Sequence, residues 1–459
     1  MSILKILDST DVIILGSGVS ALVAAKTLIA RGKNCLLLES SPRMGGAITT
    51  FSEEGYRVDF GPNTLQLNDS ELETILQELG CLEGAIEANR QAHKRFLVRG
   101  ARVITLPQSV WQGVTNPLLS FQAKMRVFKE PFIKKYAGAD EALGAFVQRR
   151  LGQEFLDYLI NPMVGGVYAG LPENLSVRYG FPKIYQLEQS YGSLLKGAVA
   201  KMWAKRKSSN RFKTRLLSWP EGMYGLVQRL AVGLNIATEA SIEAISQDAA
   251  GIWHVTWLKA GVPQTATAPY LAVTTPTHTW KTLPFLQELP AAQSIAQAIE
   301  YPPVTVVALG YRRDQVQHAL DGFGLLIPAC EGRNLLGALF SSTLFPDCAP
   351  EGHVLLTVFV GGARQPSMTE LSPADLQKAV HRDLSALLNI QGEPKFCRQH
   401  CWANAIPQYQ LGYERNLEAL NSLEERHRGL HLIGNYRDGI ALGKCMLSAH
   451  ARAFKISEK

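Results

Sequence analysis

The fold is decided by Asp11-Val-Ile-Ile-Leu-Gly16-Ser-Gly18-Val-Ser-Ala21, an apolar run that ends in two closely spaced glycines. It predicts a strand over 12–15, a tight turn, and a helix over 19–30. The glycines let the turn backbone approach a pyrophosphate, and Ala21 is small enough for the helix to pack on a sheet. The helix N-terminus offers free N–H groups and the positive dipole end to phosphates. The pattern therefore indicates a Rossmann-like dinucleotide site, with a glycine-bearing turn in an unrelated α/β protein as the alternative.

A second strand, predicted at 36–38, ends at Glu39, where a carboxylate accepts the hydroxyls of an adenosine ribose. The same charge repels a 2′-phosphate and so disfavours NADP. Gly45 and Gly46 follow. A nicotinamide dehydrogenase does not need this second glycine pair, whereas in many flavoproteins the chain turns back across the dinucleotide there. We therefore predict bound, non-covalent FAD.

A third motif, Gly434-Asn435-Tyr-Arg-Asp-Gly439, lies near the C-terminus. It follows a predicted strand over 430–433, and Gly439-Ile-Ala-Leu-Gly443 is predicted to start a helix. If the flavin pyrimidine lies at this helix N-terminus, the dipole stabilises the anion of the reduced ring. A simple strand-to-helix turn is the alternative interpretation.

Length and composition describe an ordinary globular protein. The 459 residues are enough for two or three domains, and they are 46% hydrophobic and 19% charged. We find no run of about 18 apolar residues that would span a membrane and no signal peptide. We therefore expect a cytoplasmic protein.

The cysteines predict neither disulfides nor a metal site. Seven is an odd number, in a chain without an export signal. Cys397 and Cys401, with His427 and His431, suggest zinc ligands at first sight, but the interval between the two pairs does not fit a zinc finger.

The net charge of +7, from 47 basic and 40 acidic residues, is concentrated in one segment. No acidic residue lies between Glu188 and Glu221, and two tryptophans, Trp203 and Trp219, accompany the basic residues. A solvated loop, attraction to an anionic membrane and steering of a polyanionic substrate all remain open. The basic residues are Lys196, Lys201, Lys205, Arg206, Lys207, Arg211, Lys213 and Arg215.

An apolar stripe at helical spacing precedes this segment, and Pro131 is predicted to kink or divide its helix. A buried core face is favoured over a membrane patch, although periodicity alone does not distinguish them. The stripe consists of Leu118, Phe121, Met125, Phe128 and Phe132.

Read along its whole length, the chain resembles the oxygen-dependent protoporphyrinogen oxidase family within the monoamine-oxidase-like flavoproteins. Ala47 stands where many amine oxidases have arginine, at a position that the porphyrinogen oxidases also vary. No lysine matches the one that amine oxidases place near the flavin, which counts against an amine substrate. The segments specific to the family are Gly61-Pro62-Asn63-Thr64, Gly166-Val-Tyr-Ala-Gly170 and Leu339-Phe340-Ser-Ser.

The resemblance implies two sets of site residues. The substrate pocket would be lined by Arg95, Gly166, Leu326, Leu339 and Phe359. The predicted FAD contacts, with the glycine motifs included, are Gly16, Ser17, Gly18, Val19, Ser20, Ala21, Glu39, Ser40, Gly45, Gly46, Ala47, Gly61, Pro62, Asn63, Thr64, Ile242, Asn435, Ile440, Ala441 and Leu442.

The resemblance further implies oxidation of protoporphyrinogen IX, with hydride transfer to FAD and electrons passed to dioxygen as hydrogen peroxide. Two alternatives stay open, a coproporphyrinogen III oxidase and a flavoprotein that binds porphyrin without turnover. The resemblance favours the membrane interpretation of the helical section, which would attach to the inner face of the plasma membrane. It further implies that the chain forms a homodimer, that a chelatase takes over the product, and that no nucleic acid is bound.

The predicted fold class is α/β, a Rossmann-like domain beside an α+β domain. The FAD-binding domain comprises 1–90, 215–275 and 395–459; the substrate-binding domain comprises 91–104 and 276–394; a helical, membrane-associated subdomain covers 105–195, and a basic connecting segment covers 196–214.

Overall fold

The computed structural model describes residues 5–6, 10–207 and 212–458. Arg211 of the basic segment and most of the first nine residues lie outside this description. The strands are β1 (Lys5–Ile6), β2 (Val12–Leu15), β3 (Cys35–Leu38), β4 (Thr50–Glu53), β5 (Tyr56–Asp59), β6 (Leu65–Leu67), β7 (Ile86–Glu87), β8 (Lys94–Arg99), β9 (Arg102–Thr105), β10 (Arg215–Ser218), β11 (Asn235–Ala237), β12 (Ser241–Gln247), β13 (Trp253–Lys259), β14 (Val262–Ala268), β15 (Tyr270–Val273), β16 (Val304–Arg312), β17 (Gly322–Leu326), β18 (Leu335–Phe340), β19 (His353–Gly361), β20 (Phe396–Trp402) and β21 (Leu430–Leu432).

The α-helices lie between these strands or, from α3 to α10, follow one another, and a π-helical turn, Leu156–Ile160, separates α6 from α7. They are α1 (Val19–Ile29), α2 (Ser70–Glu78), α3 (Val110–Thr115), α4 (Phe121–Phe128), α5 (Leu143–Arg150), α6 (Gln153–Phe155), α7 (Asn161–Tyr168), α8 (Val177–Gly180), α9 (Pro182–Tyr191), α10 (Leu194–Lys207), α11 (Tyr224–Ala231), α12 (Pro290–Ala298), α13 (Ser341–Leu344), α14 (Pro373–Leu388), α15 (Glu414–Arg426), α16 (Asn435–Asp438) and α17 (Leu442–Ser457).

A five-stranded parallel sheet, in the order β11-β3-β2-β15-β21, forms the first domain. Its central strands β2, β3 and β15 are apolar without alternation because both faces are covered. One face shares a core with α1, α11 and α17. The other packs against 276–301, including Trp280 from the turn before α12 and Ile295 of α12. The prediction that 276–301 belongs to the substrate domain is therefore wrong, because these side chains complete the core of the first domain.

A seven-stranded sheet, in the order β20-β16-β19-β18-β17-β8-β9, forms the second domain. Neighbouring strands are antiparallel except β8 and β17, which run parallel. The outer face packs against α14 in one hydrophobic core. The predicted return to the first domain at 395 comes too early, since β20 pairs with β16.

The helical subdomain is held by charges inside it. Arg150 is fully buried, and its guanidinium hydrogen-bonds Glu130 at 2.9 Å and Glu188 at 2.7 Å. Glu130 also accepts the backbone N–H groups of Leu194 and Leu195 at 2.9 and 3.1 Å. The carboxylate thus caps α10 and ties it to α5.

The structure places α10 over much of the basic segment, so the loop interpretation of 196–207 is wrong. Trp203 on α10 is 63% exposed.

The core interpretation of the apolar stripe is wrong too. Leu118 is buried, but Phe121 is 76% and Phe132 87% exposed, and Met125 and Phe128 are exposed as well. α4 is only two turns long and packs through Ala123, which leaves its aromatic face in solvent. The helix ends before Pro131, as predicted, and a 3-10 turn follows.

Candidate functional site

The turn after β2 has the form that a pyrophosphate requires. Gly16 has φ +102°, which favours glycine. α1 begins after Gly18 with no side-chain cap and no acidic residue in its first turn, so the N–H groups of Val19, Ser20 and Ala21 stay available. A Cβ built on Gly18 would have no atom within 4 Å. The open space above this helix N-terminus fits a phosphate.

Glu39 lies at the end of the neighbouring strand and is 8% exposed. Its Oε2 accepts hydrogen bonds from the Ser17 N–H at 2.9 Å and the Ser17 hydroxyl at 2.7 Å, and its Oε1 accepts from the Ser41 N–H at 2.8 Å. Oε2 thus accepts two hydrogen bonds and Oε1 one, which leaves a lone pair on Oε1 to accept from a ribose hydroxyl. Glu39 is thus fixed beside the phosphate turn.

The second glycine pair contacts the first. The Gly45 N–H donates to the Ser17 carbonyl at 2.9 Å, and a Cβ on Gly46 would lie 3.3 Å from the Gly18 Cα. A Cβ on Gly61 would overlap the carbonyl oxygen of Ala47, so that the partly exposed 61–64 loop lies directly on this turn. The two predicted segments therefore form one continuous surface.

The backbone of the chain also brings β12 to Glu39. The Glu39 N–H donates to the Ala237 carbonyl, and the Ala240 N–H donates to the Glu39 carbonyl, both at 2.9 Å. The exposed Ser40 and the half-buried Ile242 therefore lie close to the predicted ribose position.

The C-terminal motif reaches the same edge of the parallel sheet. β21 and β2 both pair in parallel with β15, so Gly434 and Gly16 follow the carboxyl ends of their strands. α17 begins after the exposed Ala441 with no side-chain cap and no acid in its first turn. The N-termini of α1 and α17 therefore point to one edge, as an elongated anionic cofactor requires.

A tyrosine that sequence reasoning missed holds this motif. The Tyr409 hydroxyl donates to the Asn435 carbonyl at 2.6 Å and accepts from the Gly439 N–H at 2.8 Å. Its ring stacks on Tyr413 at 4.4 Å. The only signal for this contact in the sequence was the pair Tyr409 and Tyr413, four residues apart after Pro407.

The predicted substrate residues share the inner face of the seven-stranded sheet. Gly324 of β17 stands opposite Arg95 on one side and Leu339 on the other. Gly337 of β18 stands opposite Leu326 and Phe359. Residues paired across strands point to the same face. Four predicted side chains thus surround two glycines, which leave room between them.

Helix α7 closes one side of this wall. A Cβ on Gly166 would overlap the Leu326 side chain, so that the helix and the sheet are in close contact there. Leu326, Leu339 and Phe359 are each partly exposed, whereas the opposite sheet face is buried. The wall is apolar and accessible, as a binding surface for a large apolar molecule requires.

Arg95 is exposed and makes no ion pair with a described residue; its guanidinium carbon lies 5.1 Å from the centre of the Phe323 ring. Two other arginines of this face are neutralised. Arg99 binds Glu154 at 2.6 Å, and Arg398 pairs with Glu53. Arg95 is therefore free to bind an incoming carboxylate.

A cavity of about 560 Å³ lies elsewhere, behind the turn at Arg43, whose guanidinium bonds the Gly46 and Ile48 carbonyls at 2.9 Å each. None of the predicted site residues lines it, so we do not assign the cofactor there. Among the described residues, no cluster of three or more His, Cys, Asp or Glu side chains is placed to hold a metal, and no described helix has the length and apolarity needed to cross a bilayer.

Comparison with known proteins identifies the family of this chain. A family model described as flavin-containing amine oxidoreductase matches residues 19–456. The chain belongs to this family. It is an FAD-dependent oxidase with an α/β flavoprotein fold, and the uncapped helix N-termini and the open space at Gly18 fit FAD.

Several relatives are oxidases of tetrapyrrole precursors by name. Protoporphyrinogen oxidase 2 of Arabidopsis thaliana is 31% identical over 95% of this chain and 92% of its own length. Coproporphyrinogen III oxidase of Bacillus subtilis is 29% identical over 95% of both chains. A solved structure from Exiguobacterium sp. 255-15, provisionally named a protoporphyrinogen oxidase, superposes with a TM-score of 0.81 at 23% identity, covering 98% of this chain and 99% of its own. At that identity the superposition shows the fold alone.

Proposed function

We propose that this oxidase converts protoporphyrinogen IX to protoporphyrin IX. The observation that carries the proposal is the inner sheet face, where three apolar side chains and one unpaired arginine adjoin the FAD edge. The substrate is a flexible, mostly apolar macrocycle with two propionates, so it requires apolar walls and few charged anchors. The named relatives support the same class of substrate.

Each wall residue has a role in this proposal. Arg95 binds a propionate, because a guanidinium can hold a carboxylate through two parallel hydrogen bonds. Leu326, Leu339 and Phe359 contact the rings and exclude water, and the missing side chain at Gly166 lets α7 pack directly on Leu326 and close the pocket on that side. When bound, FAD would supply the two-electron acceptor for a bridging methylene carbon, with dioxygen as the final electron acceptor. The chain contributes mainly positioning.

Coproporphyrinogen III is the second candidate, favoured by the Bacillus subtilis relative. It carries four propionates and so needs more cationic anchors. On the inner face, Arg99 and Arg398 are already held by acidic partners, which leaves Arg95 and, on the edge strand β9, the exposed Arg102 opposite Arg99. This charge count supports the substrate with two propionates.

We also propose peripheral attachment to an anionic membrane surface, through the helical subdomain. Phe121, Phe132 and Trp203 are 76%, 87% and 63% exposed, and lysines lie close to them along the chain. Exposed aromatic and basic side chains together favour the interface of an anionic bilayer. The homodimer and the chelatase remain predictions from the resemblance.

The test of the proposed substrate compares growth of porphyrin fluorescence with protoporphyrinogen IX and coproporphyrinogen III, for the purified holoenzyme in air. We expect the higher kcat/KM for protoporphyrinogen. A clear preference for coproporphyrinogen would make coproporphyrinogen III the substrate. No turnover of either compound would contradict the proposed function.

A further inference from the structure

A small polar cavity joins the 61–64 loop to the inner face of the seven-stranded sheet. Its volume is about 20 Å³, and Asn63 from the loop lines it together with Leu339 and Thr357 from the wall. The Ser341 and Thr357 hydroxyls, 2.7 Å apart, add polar atoms. A polar cavity of this size holds one water molecule.

Asp59 lines the same cavity, and one of its two carboxylate oxygens accepts hydrogen bonds from the protein. Its Oδ1 accepts hydrogen bonds from the Thr50 hydroxyl at 2.5 Å and the Met223 N–H at 2.9 Å. Its Oδ2 makes no hydrogen bond to the described part of the chain. The carboxylate therefore has an unoccupied acceptor in the cavity where a water would lie.

The surroundings of Asp59 suit proton exchange near neutral pH. Burial raises the pKa of this carboxyl to about 6, although the hydrogen bonds from Thr50 and Met223 and the charge of Arg57 oppose the rise. The other titratable group facing it is Cys348, whose pKa burial raises to about 12, so that this thiol stays neutral. Asp59 can therefore both accept and release a proton under ordinary conditions.

We propose that Asp59, through one water in this cavity, accepts the proton that the substrate releases during oxidation. The inference rests on the proposed function. When a bridging methylene carbon loses hydride, its C–H bonding pair goes to the flavin. The ring becomes neutral when a pyrrole N–H bond breaks, its electron pair stays on nitrogen, and the proton passes to the water as the water gives one of its own to Asp59. The protonated carboxyl then releases the proton to solvent.

The competing interpretation is structural, since Asp59 also anchors the turn at Met223. Asp59→Asn separates the two roles. The amide oxygen can still accept the hydrogen bonds from Thr50 and Met223, but the side chain cannot take up a proton. A structural role would therefore survive the change, and a relay would not.

The experiment measures anaerobic flavin reduction by protoporphyrinogen IX, in a single turnover, as a function of pH. We expect the wild-type rate to rise with pH through about 6, because the relay needs the carboxylate. Asp59→Asn should lower the rate about a hundredfold and remove that rise. Thr50→Val should move the rise to higher pH, since it removes a hydrogen bond that favours the carboxylate.

The matched control is Asp375→Asn, which changes an exposed carboxylate at the start of α14. It should keep the wild-type profile, and a shifted profile there would overturn the assignment of the rise to Asp59. A wild-type flavin that stays oxidised overturns the proposed function and the relay with it. If the wild type is reduced and Asp59→Asn gives the same rate and profile, the relay alone is overturned.

A readout without substrate completes the test. Infrared difference spectra of the FAD-bound enzyme between pH 5 and pH 8 should contain a protonated-carboxyl band that Asp59→Asn removes. If the variant retains every such band, Asp59 does not titrate in this range, and the relay is overturned.

Discussion

Substituting Gly18 by alanine should strongly weaken cofactor binding while leaving the fold intact. Gly18 has φ −67° and ψ 174°, a conformation that alanine adopts freely. No protein atom lies within 4 Å of the added methyl group. The methyl group would, however, fill the space above the α1 N-terminus through which the backbone meets the pyrophosphate.

The size of the effect follows from the hydrogen bonds lost. A hydrogen bond to a charged group contributes about 1.5–3 kcal/mol. If the methyl group displaces the pyrophosphate from two N–H donors, the loss is about 3–6 kcal/mol, which raises Kd roughly a hundredfold to ten-thousandfold.

The assay titrates apoprotein with FAD and follows the quenching of flavin fluorescence, while urea unfolding of the same apoprotein reports stability. We expect a large rise in Kd and an unfolding midpoint close to that of the wild type. The control is Gly113→Ala in α3, where a Cβ also has no neighbour within 4 Å but no cofactor is expected. Gly18→Ala protein that binds FAD with wild-type affinity would refute the reasoning.

Three further changes test other parts of the structure. Arg95→Ala should raise KM for the porphyrinogen and keep the FAD content, as measured by steady-state kinetics and flavin absorbance; an unchanged KM would contradict its role as the propionate anchor. Arg150→Ala leaves Glu130 buried without its ion-pair partner and Glu188 with Arg149 alone, which should cost about 3–5 kcal/mol in urea unfolding; a loss below about 1 kcal/mol would refute this. The raised pKa of Asp59 contributes stability that is complete below pH 3.8 and is lost as pH rises through about 6. Asp59→Asn should therefore gain up to about 3 kcal/mol relative to the wild type between pH 4 and pH 7, and a pH-independent difference in unfolding free energy would contradict the sign.

Local chemistry explains what the sequence could predict. The glycines at 16, 18, 45 and 46 are needed where backbone approaches backbone or phosphate, and this requirement depends on short stretches of chain. The strand at 12–15 was likewise predicted from local pattern, and the structure confirms it.

The rest depended on tertiary partners that the sequence does not reveal. Periodicity showed that Phe121 and Phe132 belong to an apolar stripe, but not that the helix packs through Ala123. The segment around Trp280 was assigned to the wrong domain because its core partners, such as Leu271, lie on a sheet it does not join. The sequence did not single out Asp59 because the cavity that it lines forms only where two domains meet.

The most direct test of the central claim mixes the oxidised holoenzyme with protoporphyrinogen IX without oxygen and follows the absorbance of the oxidised flavin. We predict rapid bleaching of that absorbance, with porphyrin formed and no added electron acceptor, and slower bleaching in Arg95→Ala. A flavin that stays oxidised in the presence of both protoporphyrinogen and coproporphyrinogen would contradict the account.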